Sequence, residues 1–301
     1  MAVTPGLDDL DALDLLVSVV ELGSLSQAGA RHGVSQPAAS MRIARLESRL
    51  GLRLVERSTT GCTPTPAGAA MVEWSRDILA HAERMGRAVQ SLKDSTAGMS
   101  MAASLTIAEQ LLPRWLAVVH ARHPQMRIKV SVANSAAVIE MVRNGDVGLG
   151  LVETPEEIQG MHTRVVARDR LVVVVSPDHP WRRRRSVLLP RQVAETPLVL
   201  REEGSGTRVT LELALARAGL RLVEPVLELA STAAVRNAVA AGVAPTVMSE
   251  LAVGDDVANG RLAVIALEGV DLSRPLTAVW RGAAPAVLSL LEQAAVAATS
   301  A

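Results

Sequence analysis

The chain has 301 residues, of which 49% are hydrophobic and 21% are charged, and its formal net charge at pH 7 is zero. This length is typical of two or three domains, and no apolar run reaches the ~20 residues that a membrane span requires, so a soluble protein with no membrane partner is expected. The acidic amino terminus is unlike a secretory signal, and the single Cys62 excludes an internal disulfide framework. Both features predict a cytoplasmic location.

The charges are unevenly distributed along the chain. Residues 1–30 carry five acidic side chains and no Lys or Arg, whereas residues 31–60 carry six arginines against two glutamates. A zero net charge argues against a nucleic-acid partner, but this local excess of arginine keeps that class open. The chain also has four Trp and no Phe or Tyr, so it lacks the aromatic platforms on which single-stranded nucleic acid stacks.

Three short helices are predicted at the start of the chain. Apolar residues recur at helical spacing over residues 7–20, and the pattern stops at Gly23. A second helix follows to about residue 32, capped by Ser24 or Ser26, and Ser35 can cap a third helix that ends near residue 51. The tight turn before the third helix predicts a helix-turn-helix.

The third predicted helix has an apolar face and a polar face. Ile43, Leu46 and Leu50 are spaced three and four residues apart, so they face a core. The opposite face and its flanks carry Gln36, Ser40, Met41, Arg42, Arg45 and Arg49. Residues 52–64 then contain two strand-like stretches around a Gly-containing turn, which predicts a hairpin wing.

A long helix is predicted after the wing. Thr65 and Pro66 read as a cap followed by a first-turn proline. An apolar seam with one polar member then recurs at spacings of three and four, at Met71, Trp74, Ile78, His81, Met85, Ala88 and Leu92. Such a seam either pairs with the same helix of a second subunit or packs against its own domain. Pairing is favoured, because the seam is long and no second long helix lies nearby in sequence.

The remaining chain alternates strands and helices after a hinge-like segment at residues 93–98. Strands are predicted at 102–108, 126–133, 147–152, 165–175, 197–200, 223–229, 245–248, 262–267 and 276–280. Helices are predicted at 110–122, 135–144, 206–218, 232–241, 249–258 and 284–298. This alternation predicts a mainly parallel sheet, in one large domain or in two lobes with a cleft between them.

Several motifs together resemble LysR-type transcriptional regulators. The run from ELGSLSQAGARHGVSQPAAS to TTGCTPTPAG resembles the winged helix-turn-helix of that family, and LTIAEQLLP, RNGDVGLGLVE, LVVVVSPDHP and LVLREEGSGTR resemble its regulatory domain. The resemblance implies an α/β protein with an N-terminal all-α winged helix-turn-helix and a C-terminal two-lobed, Rossmann-like domain of the type 2 periplasmic-binding-protein kind. It covers nearly the whole chain.

The resemblance also implies a division of the chain and a set of partners. The expected parts are a DNA-binding domain at 1–65, a dimerisation helix at 66–93, and a regulatory domain at 94–301 with lobes at 100–163 plus 268–301 and at 164–267. The expected partners are double-stranded promoter DNA, a small-molecule effector, further copies in a homodimer or homotetramer, and RNA polymerase. No metal and no cofactor besides the effector is expected.

The sequence departs from the family pattern at a few places. Leu16, Leu25 and Val55 stand where the family commonly has Phe, and these aliphatic replacements keep the core apolar. His32 stands at a core position, where a partly buried neutral imidazole is favoured over a pH sensor. Met41 replaces a basic or polar base-reading residue, and Ala244-Pro245 replace a glycine-centred turn.

The helix-turn-helix supplies the predicted DNA contacts. The first turns of a helix in the major groove contact base edges, while helix N-termini, hydroxyls and cations hold phosphate. Gln36 can pair with an adenine edge, and Pro37 or Ala38 can lie against a thymine methyl. The full predicted set is Ser24, Ser26, Ser35, Gln36, Pro37, Ser40, Met41, Arg42, Arg45 and Arg57, with Arg53 and Thr59 as weaker members.

The strand-to-helix junctions of the regulatory domain supply the predicted effector site. Hydroxyls and free backbone N–H groups at helix starts bind anions, so several such junctions in one cleft predict an anionic effector, although a lone Gly-Ser-Gly-Thr turn is also an ordinary cap. The predicted set is Ser104, Thr106, Asn134, Ser135, Arg201, Glu203, Gly204, Ser205, Gly206, Thr207, Ser231 and Thr232.

Two other classes of protein fit the sequence less well. An enzyme is disfavoured, because the six His and one Cys have no metal-ligand spacing and no nucleophile elbow or phosphate-binding loop is present. A transport-type binding protein fits residues 100–301 alone, but the DNA-binding module and the lack of a signal peptide argue against it. The run Arg182 to Arg185 follows a loop signature, so a solvated loop is favoured there over a second nucleic-acid site.

Overall fold

The computed structural model describes residues 9–58, 61–93, 99–183 and 186–299. They form two compact units, residues 1–89 and 90–301. Thr59 and most of the hinge-like segment lie outside the described residues, as do the side chains of Ala88 and Leu92. In the described part, no helix is both long and apolar enough to cross a membrane.

The first unit is the predicted helix-turn-helix with a hairpin wing and a long helix. Its elements are α1 (Leu10–Leu22), α2 (Leu25–Arg31), α3 (Gln36–Leu50), β1 (Val55–Ser58), β2 (Gly61–Pro64) and α4 (Pro66–Lys93). Strands β1 and β2 pair antiparallel. Ser24 caps α2 by accepting from the Gln27 N–H at 3.3 Å, whereas Ser26 lies inside α2 and is exposed. The cap of α2 is therefore Ser24.

A single apolar core joins these elements. Leu13, Leu16 and Ile43 are fully buried in it. His32 is partly buried at the end of α2, with its Nε2 2.8 Å from Ser18 Oγ and its Nδ1 3.9 Å from Asp14 Oδ2. The predicted burial of His32 is thus observed, and its protonation state stays a prediction.

The second unit contains the remaining elements. Its strands are β3 (Met99–Ser104), β4 (Ile128–Ala133), β5 (Leu149–Glu153), β6 (His162–Val175), β7 (Val199–Arg201), β8 (Leu227–Leu229), β9 (Thr246–Ser249), β10 (Ala263–Ile265) and β11 (Ser273–Trp280). Its helices are α5 (Leu112–Arg122), α6 (Ser135–Arg143), α7 (Pro190–Ala194), α8 (Gly206–Arg217), α9 (Thr232–Ala240), α10 (Gly254–Ala258) and α11 (Ala286–Thr299). A π-helical turn (Ile107–Leu111) precedes α5, and short 3-10 turns lie at Pro180–Arg183 and Glu250–Ala252.

The prediction of a mainly parallel sheet is wrong. Strand β3 pairs parallel with β4 and β5, but β6 and β11 pair antiparallel with each other, and β11 also pairs antiparallel with β5. Strand β6 continues far enough to pair antiparallel with β9 and β10 as well. Strands β6 and β11 therefore cross between the lobes, and they run in opposite directions. The alternation of helices and strands in the sequence does not show such a reversal of strand direction.

Each lobe has its own apolar core. The first lobe packs α5 and α11 against β3, β5 and β11, with Trp115 and Leu276 among its buried residues. The second lobe packs α7 and α8 against β6, β7 and β9, with Leu188 and Leu211 among its buried residues. Several predicted elements differ from their expected bounds. The helix at 249–258 is a 3-10 turn followed by α10, and the strands at 223–229 and 262–267 are reduced to β8 and β10. The strand predicted at 102–108 is displaced to β3, and its predicted end at residues 107 and 108 belongs to the π-helical turn.

Candidate functional site: a DNA-reading helix and an interlobe cleft

The exposed start of α3 carries the predicted base-reading residues. Ser35 caps the helix by accepting from the Ala38 N–H at 3.4 Å. Gln36 and Pro37 are exposed in the first turn, and Met41 is 73% exposed one turn later. Arg45 is exposed and Arg42 is half-buried. The local sequence thus exposes an amide, a proline ring and a thioether over the first two turns of α3, the part of a recognition helix that contacts base edges.

The wing is held against α3 by one of the predicted DNA-binding residues. Arg57 on β1 donates to Ser40 Oγ at 2.7 Å and to the Ser40 carbonyl oxygen at 3.5 Å. A surface recess of about 460 Å³ lies beside it, lined by Arg53, Val55, Glu56, Arg57 and Thr65. Arg57 therefore orients the hydroxyl of Ser40 at the edge of this recess.

A buried carboxylate that the sequence reasoning missed links α3 to the wing. Glu47 is 7% exposed, and its Oε1 accepts from the N–H groups of Leu54 at 2.7 Å and Val55 at 3.2 Å. Burying a carboxylate in a small domain is costly unless it is hydrogen-bonded, so this arrangement indicates a dedicated structural role. The signal was the position of Glu47 beside Leu46, on the edge of the apolar face.

The long helix α4 begins as predicted, and only part of its predicted seam is exposed to solvent. Thr65 Oγ1 accepts from the Gly68 N–H at 2.9 Å, which caps the helix. On the predicted seam, Met71 is buried in the core of its own unit and Ile78 packs against that core, whereas Trp74 and Met85 are 61% and 68% exposed. His81 is exposed, with Nδ1 2.7 Å from the Asp77 carbonyl oxygen. The side of α4 that carries Met71 and Ile78 therefore packs on its own unit, whereas Trp74 and Met85 are exposed.

In the second unit, two of the predicted junctions meet across the cleft. The Ala136 N–H donates to the Gly204 carbonyl oxygen at 3.1 Å, and Asn134 Nδ2 donates to the Glu203 carbonyl oxygen at 3.3 Å. Asn134 also caps α6 by accepting from the Ala137 N–H at 3.0 Å. The cleft is consequently closed at this edge, with the α6 start of the first lobe against the α8 start of the second.

The predicted effector hydroxyls are buried in this closed cleft. Ser104, Thr106, Ser135, Ser205, Thr207 and Thr232 are all at most 5% exposed. Ser231 is half-buried and caps α9, accepting from the Ala234 N–H at 3.4 Å. The Glu203 side chain is exposed and lies 3.9 Å from Arg208. These hydroxyls are therefore almost completely shielded from solvent in the closed arrangement.

A buried ionic network, which the sequence reasoning missed, lies behind these hydroxyls. Arg274 on β11 is completely buried; its Nε and Nη2 donate to Asp169 Oδ2 at 2.9 and 2.7 Å, and Nη2 also forms an ion pair with Glu153 Oε2. Its Nη1 donates to Thr207 Oγ1 at 3.1 Å and its Nη2 to Thr106 Oγ1 at 3.5 Å. One guanidinium thus contacts both crossing strands and both lobes.

Arg201 forms a second, separate pair in the cleft. Its Nε and Nη2 donate to the two carboxylate oxygens of Glu202 at 2.8 and 2.9 Å, and its Nη1 donates to Thr232 Oγ1 at 3.3 Å. Burial acts to raise the pKa of Glu202, but the hydrogen bonds and charge of Arg201 outweigh it, so that pKa is lowered.

An acidic side chain of the first lobe lies within electrostatic reach of second-lobe guanidinium groups. Partial burial raises the pKa of the Glu109 carboxyl, and the charges of Arg236 and Arg201 only partly offset that rise. Glu109 is in the π-helical turn, a local geometry that is frequent at functional sites. The cleft therefore contains carboxylates as well as the cations and hydroxyls that the sequence predicted.

Comparison with known proteins identifies the family. Residues 10–69 match the family model described as bacterial regulatory helix-turn-helix protein, lysR family, and residues 98–298 match the LysR substrate binding domain. The chain belongs to the LysR family. It is therefore a LysR-type transcriptional regulator with a DNA-binding module and an effector-binding domain, and the expectation of a regulator rather than an enzyme is confirmed.

Individual LysR-type proteins resemble the chain over most of its length. An uncharacterized HTH-type transcriptional regulator of Mycobacterium bovis is 39% identical over 291 residues, which are 94% of this chain and 93% of the relative. The regulatory domain of Synechocystis CcmR in complex with 2-PG has a TM-score of 0.59 at 22% identity, covering 66% of this chain and 96% of that one. Full-length CbnR complexed with its target DNA has a TM-score of 0.51 at 21% identity, covering 96% and 99%. The two structures support the predicted fold of each unit.

Proposed function

We propose that this LysR-type regulator binds promoter DNA through the exposed start of α3 and the wing, and that it needs no cofactor besides its effector. The observation that carries the proposal is the exposed side-chain row Gln36, Pro37 and Met41, flanked by Arg57 in its contact with Ser40. Gln36 pairs with an adenine edge, and Met41 contacts apolar thymine surface. A DNA-binding regulator works where the DNA lies, so the cytoplasm is its proposed location.

The test is an electrophoretic mobility shift on the DNA upstream of the gene that encodes the chain. Specific retardation that survives excess unrelated DNA is expected, because base contacts discriminate where phosphate contacts do not. The Gln36→Ala variant should change the ranking of mutated sites, whereas loss of a phosphate contact lowers affinity for all sites alike. The proposal would be contradicted if excess unrelated DNA abolished the retardation by the unchanged protein and by the Gln36→Ala variant to the same extent.

The interlobe cleft is the proposed effector site, and the proposed effector is a small anion. The proposal is supported by buried hydroxyls from both lobes around one guanidinium, at Thr106 and Thr207. The solved relative CcmR is described in complex with 2-PG. Effector binding would change the separation of the lobes and, through it, the arrangement of the paired DNA-binding modules.

Self-association is proposed to occur through α4. Trp74 and Met85 are large, apolar and mostly exposed on that helix, and pairing with a second copy would bury them. The proposed assembly is a homodimer or a homotetramer of the chain. RNA polymerase is the remaining proposed partner, since a regulator that activates transcription acts on the polymerase.

A further inference from the structure

Glu153 lies at a close contact between the two lobes. It is the last residue of β5 and is 2% exposed. On one side, its N–H donates to Ser135 Oγ at 3.3 Å. On the other side, Gly206 of the second lobe lies so close that a Cβ there would fall 1.6 Å from the Glu153 carbonyl oxygen. The backbone of Glu153 therefore lies between Ser135 of the first lobe and Gly206 of the second lobe.

The carboxylate of Glu153 is bound as a free carboxylate would be. Its Oε1 accepts from the Thr106 backbone N–H at 3.3 Å, and its Oε2 forms an ion pair with Arg274. A backbone N–H and a guanidinium are groups with which proteins commonly bind carboxylates. The Arg274 contact is an ion pair, without a hydrogen bond to Oε2 among the described residues. Both groups lie among the hydroxyls of the proposed effector site, so Glu153 fills the position there that is best suited to a small anion.

Arg274 does not need Glu153 to keep its position. Asp169 accepts from two of its nitrogens, and Ser249 Oγ donates to the other oxygen of Asp169 at 2.9 Å. If the Glu153 side chain leaves, the guanidinium therefore remains held and partly neutralised. Ser104 Oγ, two residues before Thr106, is buried and has no hydrogen-bond partner among the described residues. Such an unpaired buried hydroxyl is uncommon in a native structure, and it is available to a ligand in an opened cleft.

We propose that Glu153 is an internal occupant of the effector cleft, and that the carboxylate of the effector takes its position between the Thr106 N–H and Arg274. The inference rests on the proposed function of the cleft as an effector site. It names the effector class as a small molecule with a singly charged carboxylate, the group that Glu153 itself supplies. A phosphate dianion would bring a second negative charge next to Asp169, which is unfavourable in a buried site.

The experiment titrates the full chain with acetate at constant ionic strength and measures binding by calorimetry. The unchanged chain, E153A and E153Q are compared, together with D169N as the matched control. D169N removes a carboxylate from the same guanidinium but leaves Glu153 in place. We expect E153A to bind acetate at least tenfold more tightly than the unchanged chain, and E153Q to lie between them, because Gln fills the position without charge. The increase in acetate affinity should be clearly smaller for D169N than for E153Q.

Three results would overturn the proposal. One is equal acetate affinity for the unchanged chain and E153A, provided that circular dichroism shows E153A to be folded. The second is an equal gain for E153Q and D169N, which would show a general charge effect and would decide the matter even if E153A does not fold. The third is an increase in affinity for inorganic phosphate in E153A or E153Q as large as the increase for acetate, because the site would then not be specific for a carboxylate.

The proposed DNA-binding function is tested separately on the same proteins. A mobility shift with the upstream DNA reports that function without any added carboxylate. Failure of the unchanged chain to retard DNA would count against the proposed function, whereas the acetate series alone decides the role of Glu153.

Discussion

At the scale of single residues, Arg57 and Glu47 show how the wing is built. Arg57 reaches from β1 to Ser40 on α3, and Glu47 reaches from α3 to the backbone that enters β1. Only the first of these contacts is exposed, so only Arg57 can exchange its partner for phosphate without leaving a buried group unpaired. In the proposed function, Arg57 therefore serves DNA binding, whereas Glu47 serves the stability of the first unit.

Replacement of Arg57 by Ala should weaken DNA binding and its salt dependence. If Arg57 contacts one phosphate, the slope of log affinity against log salt should fall in magnitude by roughly 0.9, because one condensed cation fewer is released. Fluorescence anisotropy at several salt concentrations measures the slope. Arg191→Ala is the control, since Arg191 is an exposed arginine of the second unit that pairs with Glu195. An unaltered slope for Arg57→Ala would remove Arg57 from the DNA site.

Replacement of Glu47 by Ala should destabilise the first unit. Two buried N–H groups lose their acceptor, and each unsatisfied buried group costs about 1–3 kcal/mol. Glu47→Gln keeps an acceptor oxygen and should restore much of the loss. Differential scanning calorimetry measures the effect, with Glu56→Ala as the control because Glu56 is an exposed glutamate on β1. A Glu47→Ala chain as stable as Glu56→Ala would show that the bonds contribute little.

At the scale of elements, close backbone approaches position both sites. A Cβ at Gly68 in the first turn of α4 would lie 1.9 Å from the Leu54 carbonyl oxygen, so glycine lets the helix start against the wing. Gly206 does the same for α8 against the end of β5. In each case the missing side chain lets a helix start touch the backbone of another element.

Replacement of Gly206 by Ala should destabilise the closed cleft. The new methyl group would overlap the Glu153 carbonyl oxygen, and overpacking of this kind costs typically about 1–3 kcal/mol. Gly254→Ala is the matched control, because Gly254 also begins a helix but has open space where its Cβ would lie. Thermal unfolding and amide hydrogen exchange at the starts of α6 and α8 give the readout. Equal stability of the two variants would mean that the lobes adjust without cost.

At the scale of the whole molecule, exposed apolar surface on α4 is what a second copy of the chain would cover. The double variant Trp74→Ala, Met85→Ala should weaken self-association, because each truncated side chain gives up apolar contact area. Sedimentation equilibrium across a concentration series measures the assembly. Val226→Ala is the control, as Val226 is a 53% exposed apolar residue of the second unit. If the double variant self-associated as strongly as the unchanged chain, the interface would lie outside Trp74 and Met85.

The sequence by itself determined the features that depend on neighbouring residues. The caps at Ser24, Ser35 and Thr65 and the exposed face of α3 follow from local hydrogen bonding and from helical periodicity. Most strands and helices of the second unit were predicted for the same reason. The chemistry of the proposed DNA-reading surface was thus visible in the linear chain, and its family resemblance was confirmed.

Only the tertiary structure decided the direction of the crossing strands and the contents of the cleft. Glu153 and Asp169 lie on the consecutive strands β5 and β6, whereas Arg274 lies on β11, more than 100 residues further along the chain. Each taken alone is an ordinary charged residue near a strand end or within a strand. They form an ionic network only because the antiparallel pairing of β6 and β11 places Arg274 opposite Asp169 and beside β5. Electrostatic pairing acts through space and depends on burial, which a local sequence pattern does not encode.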